Sequence, residues 1–403
     1  MDIIEATYQV TTPLFCGGAN NEKAEFRLPS FKGALRFWWR ALAWLRLEGD
    51  LKKIKAQEAE LFGSTDGQAK CLLTATTQTL RYQDKGKKLK DPETEKVVGK
   101  GALYLGYGAI HYSKKLEREA INPFKFKVRA LFKPSLEDKG GKLKESVRTA
   151  LMALGLLGGM GSKSRKGYGS LALTELDGES YIPADTQGFI NHIGTITNKL
   201  EGKGLDQIAP YTAFTSDTDI VVLEGKSGIT ALKLLDGLGK EMVSFRSNGR
   251  KSKGGYRQVL DDDVNPEDRP FWVDHNLMLK AARDKKVSKH PWRVAFGLPH
   301  NYYFSSAGKN VGVSATGQLD RRASPLFMHI HPLANDRYAA VVSFLPSKFL
   351  PDGTRLKVGI SKVNINHKEI WKPINGFLTD LRLYDRYTKN LIIDTQHIDD
   401  LGF

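Results

Sequence analysis

Residues 158–170 read GGMGSKSRKGYGS, and they join a helical stretch, Lys144–Leu157, to a β-rich stretch that runs to Leu176. Glycines let backbone N–H groups approach a phosphate, and the cations between them add positive charge. The stretch therefore predicts an anion-binding loop between a helix and a strand, and a flexible turn without a ligand is the alternative. We call it the glycine-rich loop, with glycines Gly158, Gly159, Gly161, Gly167 and Gly169 and cations Lys163, Arg165 and Lys166.

Two nucleotide-binding motifs do not fit this loop. A P-loop has lysine directly after its last glycine, whereas Ser162 stands between Gly161 and Lys163. A dinucleotide fingerprint that starts at Gly159 needs glycine where the chain has Ser164, and it follows a strand and opens a helix. The order here is reversed, so we expect no nucleotide and no other cofactor.

Upstream of the loop, the pattern alternates between strand and helix. Glu5–Val10 is β-rich, a helix with Ser30 as its N-cap follows, and residues 124–130 alternate apolar with basic side chains. Strand, helix, strands, helix and strand in this order predict a ferredoxin-like βαββαβ unit. The Lys- and Gly-rich segment Lys85–Lys100 is expected to be an insertion or a mobile hairpin.

Length and loop position together predict the domains. The chain has 403 residues, which suggests two or three domains at about 150 residues each. The glycine-rich loop lies mid-chain, where it closes the first domain, and this favours two. We predict an α+β protein with domains at 1–178 and 179–403, the boundary falling in Leu176–Asp185.

The charge balance favours a polyanionic partner. Lys and Arg number 61 and Asp and Glu 45, a formal net charge of +16. No run reaches the roughly 18–20 apolar residues of a membrane-spanning helix, so nucleic acid is favoured over a membrane. The acidic start at Met1–Glu5 is unlike a signal peptide, and only Cys16 and Cys71 are present. We expect no disulfide framework, no metal site and a cytoplasmic location.

A second basic feature lies on the helix that follows Pro29. Lys32, Arg36 and Arg40 are spaced four residues apart on one stripe, where like charges repel unless an anion lies alongside. An RNA backbone could supply that anion, and a solvated basic face is the alternative. Trp38 falls on the apolar face and is predicted to lie in the core; the same is favoured for Trp39.

Two basic patches lie in the second half. One surrounds Ser247–Arg257, predicted to be a mobile loop, and the other is the Arg321–Arg322 pair. Charged loops are usually just solvated, so neither patch is strong evidence by itself. Because basic patches occur in both halves of the chain, a nucleic-acid partner is favoured. The candidate RNA-binding residues of the first patch are Arg246, Arg250, Lys253 and Arg257.

No catalytic motif stands out. There is no His-Glu-x-x-His, no Gly-x-Ser-x-Gly and no acidic cluster with metal-ligand spacing. His329 and His331 would share one face of a strand, but nearby acidic or cysteine partners are missing. We interpret both as ordinary core or surface histidines.

These stretches resemble the RAMP superfamily, whose members build CRISPR ribonucleoproteins. The resemblance lies in TPLF at 12–15, the Gly17–Gly18 pair, PSFKGALRFWWRAL at 29–42 and the glycine-rich loop. The double tryptophan is typical of the first-numbered subunits of Type III-B Cmr complexes. AFGLP at 295–299 and RRASPL at 321–326 are similar to C-terminal segments of the same subunits.

The resemblance implies two modified ferredoxin-like, RRM-like domains in tandem. It also implies a non-catalytic subunit whose partners are guide RNA, target single-stranded RNA and the backbone and capping subunits of a Cmr complex. The cations listed above would then hold phosphates, and Tyr168 would stack on a base.

Two other functions remain open. A RAMP endoribonuclease that processes guide RNA without metal is one, although such enzymes place a histidine soon after the first strand and the first here is His111. The other is a scaffold whose basic patches meet acidic subunits.

Overall fold

The computed structural model describes residues 2–198, 205, 207–246, 270–317, 319, 321–367, 369–382 and 393–397. The helices within these ranges are α1 (Leu28–Arg46), α2 (Leu51–Phe62), α3 (Lys100–Leu105), α4 (Lys142–Leu157), α5 (Thr186–Thr197), α6 (Ala231–Arg246), α7 (Pro270–Ala282) and α8 (Lys372–Arg382). The strands are β1 (Ile3–Val10), β2 (Cys71–Thr77), β3 (Tyr82–Gln83), β4 (Ala120–Ile121), β5 (Lys125–Phe132), β6 (Leu171–Leu176), β7 (Glu179–Ser180), β8 (Asp219–Gly225), β9 (His300–Phe304), β10 (Lys309–Ala315), β11 (Leu326–Leu333), β12 (Arg337–Phe344), β13 (Leu356–Val358), β14 (Ser361–Val363) and β15 (Ile393–His397).

The first sheet has the strand order β2-β5-β1-β6-β7, with every neighbouring pair antiparallel. Helix α1 follows β1 and α4 follows β5, so the βαββαβ connection predicted for the first half is confirmed. β1 buries alternate residues from Ile4 to Val10, as a strand with one face in the core must.

Helix α1 covers this sheet with its apolar face. Trp38 and Trp39 are both buried, so their predicted place in the core is confirmed. The helix begins at Leu28, with a proline in its first turn and Arg27 at the N-cap, which makes no side-chain capping bond. The prediction of Ser30 as N-cap is therefore wrong, because the helix starts before that residue.

The second half repeats the strand order. Its sheet runs β11-β12-β8-β15, with α6 after β8 and α8 after β12, and all pairs are antiparallel. β11 is buried along its whole length because helices of both halves pack against it. His329 and His331 are fully buried there, and burial lowers the pKa of His329 to about 4. Their interpretation as core residues is confirmed.

A smaller sheet, β14-β13-β10-β9, completes the second half. It shares an apolar cluster with α7, in which Met278, Val313 and Phe349 are buried. The cluster lies apart from the two larger cores and carries none of the predicted site residues.

The segment between β3 and β4 is anchored rather than mobile. Leu89 and Val98 are buried against α6, and the buried Asp91 carboxylate accepts a hydrogen bond from Thr230. Helix α3 lies so close to α6 that a Cβ on Gly101 would stand 2.0 Å from the Asp236 carbonyl oxygen. Of the two alternatives expected for Lys85–Lys100, the mobile hairpin does not fit, because isolated apolar residues in this lysine-rich stretch reach the second core. An insertion between β3 and β4 does fit.

Among the described residues, no helix is both long and apolar enough to span a bilayer.

Candidate nucleic-acid interface

The glycine-rich loop is folded against the protein by its own backbone. The N–H of Ser162 donates to the Phe15 carbonyl at 2.7 Å, and the N–H of Gly169 donates to Pro13 at 3.0 Å. The N–H groups of Gly158 and Gly167 donate within the chain as well. These donors are therefore not available to a phosphate, contrary to the prediction made for the loop's backbone.

Close packing is what the glycines provide instead. A Cβ at Gly161 would stand 2.5 Å from the Phe15 carbonyl oxygen, and one at Gly169 2.3 Å from that of Met160. Both residues have positive φ, +82° and +62°, a region that side chains disfavour. A Cβ at Gly159 would likewise stand 2.8 Å from the Gly169 carbonyl oxygen. The glycines thus allow the loop to form a closely packed turn.

Arg165 joins the loop to the second half. Its carbonyl accepts the Met328 N–H at 3.2 Å, and its guanidinium donates to the Ser324 carbonyl. The guanidinium carbon lies 5.2 Å from the centroid of the Phe37 ring and 4.6 Å from that of Phe327. Burial, and secondarily Arg322, lowers the pKa of Arg165 to about 10, so the side chain stays charged at neutral pH.

A cleft of about 580 Å³ opens where the two halves meet. Four predicted candidates from three separate stretches of the chain line it, namely Arg40, Arg165, Arg321 and Arg322. Lys348 adds a fifth cation but is paired with Asp352, the only acidic residue among the described residues of the lining. Arginines outnumber carboxylates in this lining, and an excess of positive charge attracts a polyanion.

The cations of the cleft differ in how firmly they are held. Arg322 donates to the Phe349 carbonyl at 2.9 Å and to the Ser347 hydroxyl at 2.7 Å, which fixes its position. Arg321 is exposed, and it makes no hydrogen bond or ion pair within the described part of the chain. The Arg321 side chain is therefore available to bind a ligand, whereas Arg322 also stabilises the side of the cleft formed by Ser347 and Phe349.

The basic stripe of α1 has its own counter-ion. Arg36 Nε lies 2.7 Å from Glu58 Oε1, and Arg40 Nη1 lies 2.5 Å from the same oxygen. Glu58 is buried on α2, so the protein itself supplies an anion beside Arg36 and Arg40. RNA and a solvated face both stay open for the stripe, and the repulsion between these two arginines is offset without RNA. Arg40 reaches the cleft, but Lys32 and Arg36 do not line it.

A second group of cations flanks the cleft. Lys163 is close enough to Arg118 and Arg321 for both, together with burial, to lower its pKa. Burial, followed by Arg246, Lys163 and Arg165, lowers the pKa of Lys166 to about 7. Neither lysine has an acidic partner among the described residues. We call Arg118, Lys163, Lys166 and Arg246 the flanking group.

Arg246 is held at the end of α6. Its Nη1 donates to the Tyr104 hydroxyl at 2.6 Å, and its Nη2 lies 2.9 Å from His300 Nε2. The pKa of His300 is lowered to about 3, by burial and then by Arg246, so this imidazole is neutral. The other candidates of this patch, Arg250, Lys253 and Arg257, lie outside the described residues.

Tyr168 cannot serve as a base-stacking residue in this conformation. Its ring is fully buried against Phe15, with centroids 5.2 Å apart. Its hydroxyl donates to the Ala102 carbonyl at 2.8 Å. The prediction is wrong because Tyr168 packs inward against the anchored α3 segment.

The structure adds residues that the sequence patterns did not suggest. Arg118 donates to the Ser162 hydroxyl at 3.3 Å and so reaches the loop from the segment between α3 and β4. Lys348 comes from the turn after β12. No local pattern marks either residue, because both reach the surface through tertiary packing. No cluster of metal-ligating side chains is found within the described ranges.

Known proteins share both the sequence pattern and the fold. The sequence model of the RAMP superfamily matches residues 7–172. The CRISPR system Cmr subunit Cmr1-1 of Pyrococcus furiosus is 26% identical over 363 residues, 88% of each chain. The Cmr1-2 subunit of that organism is 26% identical over 177 residues, 42% of this chain and 93% of its own.

A solved structure gives the same result for the fold. The crystal structure of Cmr1 from Pyrococcus furiosus in its apo form has 20% sequence identity and a TM-score of 0.50. It covers 92% of this chain and 96% of its own. The predicted resemblance is therefore confirmed: the chain is similar to the RAMP superfamily over residues 7–172, and to Cmr1 subunits over most of its length.

Proposed function

We propose that this protein is a non-catalytic RNA-binding subunit of a Type III-B CRISPR Cmr effector complex. It contacts guide RNA, target single-stranded RNA or both near one end of the assembly, beside the backbone and capping subunits. Its similarity to subunits named Cmr1 supports the assembly, and the cleft between the halves supports the RNA binding.

The convergence of cations in the cleft is the observation that carries the proposal. Arginines from α1, the glycine-rich loop and the segment before β11 line one cavity, with a single acidic residue among its described lining. The flanking group continues this surface, since Lys163 interacts with Arg321 and Lys166 with Arg165. Arg40 is paired with Glu58 and Lys348 with Asp352. Arg165, Arg321 and Arg322 have no acidic partner among the described residues, and such closely spaced cations repel one another unless a polyanion binds there.

A phosphate backbone fits such a surface better than a single small anion. The cations are spread along a path from the cleft to Arg246 rather than gathered at one point. Each neutralised phosphate releases counter-ions, so the affinity should fall with salt and depend little on sequence. Guanidinium groups bind phosphate oxygens through paired hydrogen bonds, which suits Arg321.

The proposal also includes two ferredoxin-like domains in tandem. The two larger sheets share one strand order and one helix placement, which supports two modified ferredoxin-like domains with limits near 1–178 and 179–403. Cys16 and Cys71 are buried and unpaired, which fits the proposed cytoplasmic location.

Charge reversal in the cleft tests RNA binding. We expect Arg321→Glu in the full chain to weaken binding of a 5′-labelled oligouridylate by at least tenfold at about 0.15 M salt, where screening acts over about 8 Å. The matched control is Lys362→Glu, the same charge change at an exposed residue of β14, away from the cleft. Equal affinities for the two variants would contradict the assignment of the cleft.

Incubation with repeat RNA in EDTA tests the non-catalytic part. We expect intact RNA, because no described histidine lies in the cleft lining. Cleavage at a defined position would favour the alternative, a metal-independent endoribonuclease that processes guide RNA. A purified chain that binds no RNA even at low salt would instead favour the scaffold.

A further inference from the structure

Tyr107 is one of the most exposed large side chains of the described residues. Its exposed fraction is 74%, although its neighbours Leu105, Ala109 and Ile110 are buried. The N–H groups of Ala109 and Ile110 both donate to the Gly106 carbonyl at 2.9 Å, which closes a tight turn. The Tyr107 ring is therefore exposed to solvent while the backbone that carries it is fixed by hydrogen bonds.

This turn lies against the glycine-rich loop. A Cβ at Gly108 would stand 3.6 Å from the Lys163 amine, and one at Gly106 3.1 Å from the Tyr168 ring. Since consecutive Cα atoms are 3.8 Å apart, the Cα of Tyr107 lies within about 9 Å of that amine. An exposed ring and a cation without an acidic partner are thus neighbours on one surface.

The same segment contacts the flanking group at both ends. Tyr104, three residues before Tyr107, accepts a hydrogen bond from Arg246. Arg118, at the other end, donates to Ser162 of the loop. The segment therefore follows the flanking group, and Tyr107 lies between its two contacts in the chain.

We propose that Tyr107 is the base-stacking residue of this interface, and that it stacks on a base of single-stranded RNA whose backbone Lys163 contacts. The inference rests on the proposed RNA-binding function and names the aromatic contact that the buried Tyr168 cannot supply. Every base has a π-face, so the contact tolerates any sequence. A ring held on a tight turn loses little conformational freedom when it stacks.

The structural alternative is a tyrosine that is merely solvated. Singly exposed aromatic residues occur on most proteins. Tyr303, with an exposed fraction of 68%, is such a residue and serves as the matched control. It lies on β9, on the opposite face of the strand from the buried Tyr302.

Fluorescence of an oligouridylate with one 2-aminopurine tests the proposal, because stacking on a ring quenches this base. We expect Tyr107→Ala to weaken binding by about 5- to 150-fold and to abolish part of the quenching. The salt slope should stay the same, since the ring carries no charge. Tyr107→Phe and Tyr303→Ala should both behave like the wild type.

The possible outcomes distinguish failure of the stacking role of Tyr107 from failure of the proposed RNA-binding function. If the wild type binds and Tyr107→Ala binds and quenches equally well, the stacking role is wrong and the RNA-binding function stands. An equal loss in Tyr303→Ala would likewise overturn the role. If the wild type fails to bind at low salt, the RNA-binding function itself falls. Unchanged melting temperatures of the variants exclude unfolding as the cause of any loss.

Discussion

Lys163 allows charge and fold to be tested separately at the glycine-rich loop. Its φ is +66°, in the left-handed region, which costs an L-residue about 1–2 kcal/mol. Glycine avoids this strain but loses about 0.5–1 kcal/mol through the greater freedom of its unfolded chain. Lys163→Gly should therefore leave the free energy of unfolding unchanged or raise it by up to about 1.5 kcal/mol, measured by urea denaturation.

The same substitution should weaken RNA binding in a predictable way. Loss of one phosphate contact lowers the slope of log affinity against log salt by about 0.7 for single strands. Between about 50 and 200 mM salt, the difference between variant and wild type should then shrink by about 2.5-fold. Fluorescence anisotropy of a labelled oligouridylate at several salt concentrations measures this slope.

Lys163→Arg is the control, because it keeps both the charge and the left-handed backbone. It should retain the wild-type slope. A Lys163→Gly variant with the wild-type slope and affinity would refute the phosphate contact. A marked loss of stability would refute the strain argument.

Two further predictions concern protonation and packing. A phosphate at Lys166, as proposed, should raise the pKa of this amine above the value of about 7 that it has in the unbound protein. Binding would then take up a proton, and affinity should fall as the pH rises above 7. The affinity falls by up to about tenfold for each unit by which binding raises the pKa. Anisotropy titrations between about pH 6 and 9 cover a pKa change of one or two units, and Lys166→Arg should flatten the pH dependence. Gly101→Ala should lower the free energy of unfolding by about 1–3 kcal/mol in urea, because its Cβ would meet Asp236. A Cβ at Gly33, on the exposed face of α1, meets only open space, so Gly33→Ala should instead raise the free energy of unfolding by up to about 1 kcal/mol. A Gly101→Ala variant more stable than Gly33→Ala would contradict the packing of α3 on α6.

Periodicity predicted the elements of the first half well because it depends on neighbours in sequence. The alternation along β5 and the apolar face of α1 each record which side meets the core. The end of α4 at Gly158 coincides with the glycine pair that ends the apolar helical pattern in the sequence. These features follow from sequence without knowledge of the tertiary structure.

The charge partners of α1 could not be predicted in this way. Glu58 lies 18 residues after Arg40, on another helix, and only the packing of α2 on α1 brings its carboxylate to both arginines. The stripe pattern therefore could not show that a buried carboxylate offsets part of the charge of Arg36 and Arg40. Tyr168 illustrates the converse, since an aromatic residue among loop cations resembles a stacking residue until α3 is seen to cover it.

The interface belongs to neither half alone. Arg165 comes from the first half, but its guanidinium is fixed by the Ser324 carbonyl and the Phe327 ring of the second. Arg322 comes from the second half and faces Arg165 across the cleft at a distance short enough to lower its pKa. Repulsion between these arginines opposes docking of the halves, whereas the buried β11 and the α3–α6 contact favour it. An RNA backbone in the cleft removes the repulsion, so RNA binding and docking of the two halves should stabilise each other.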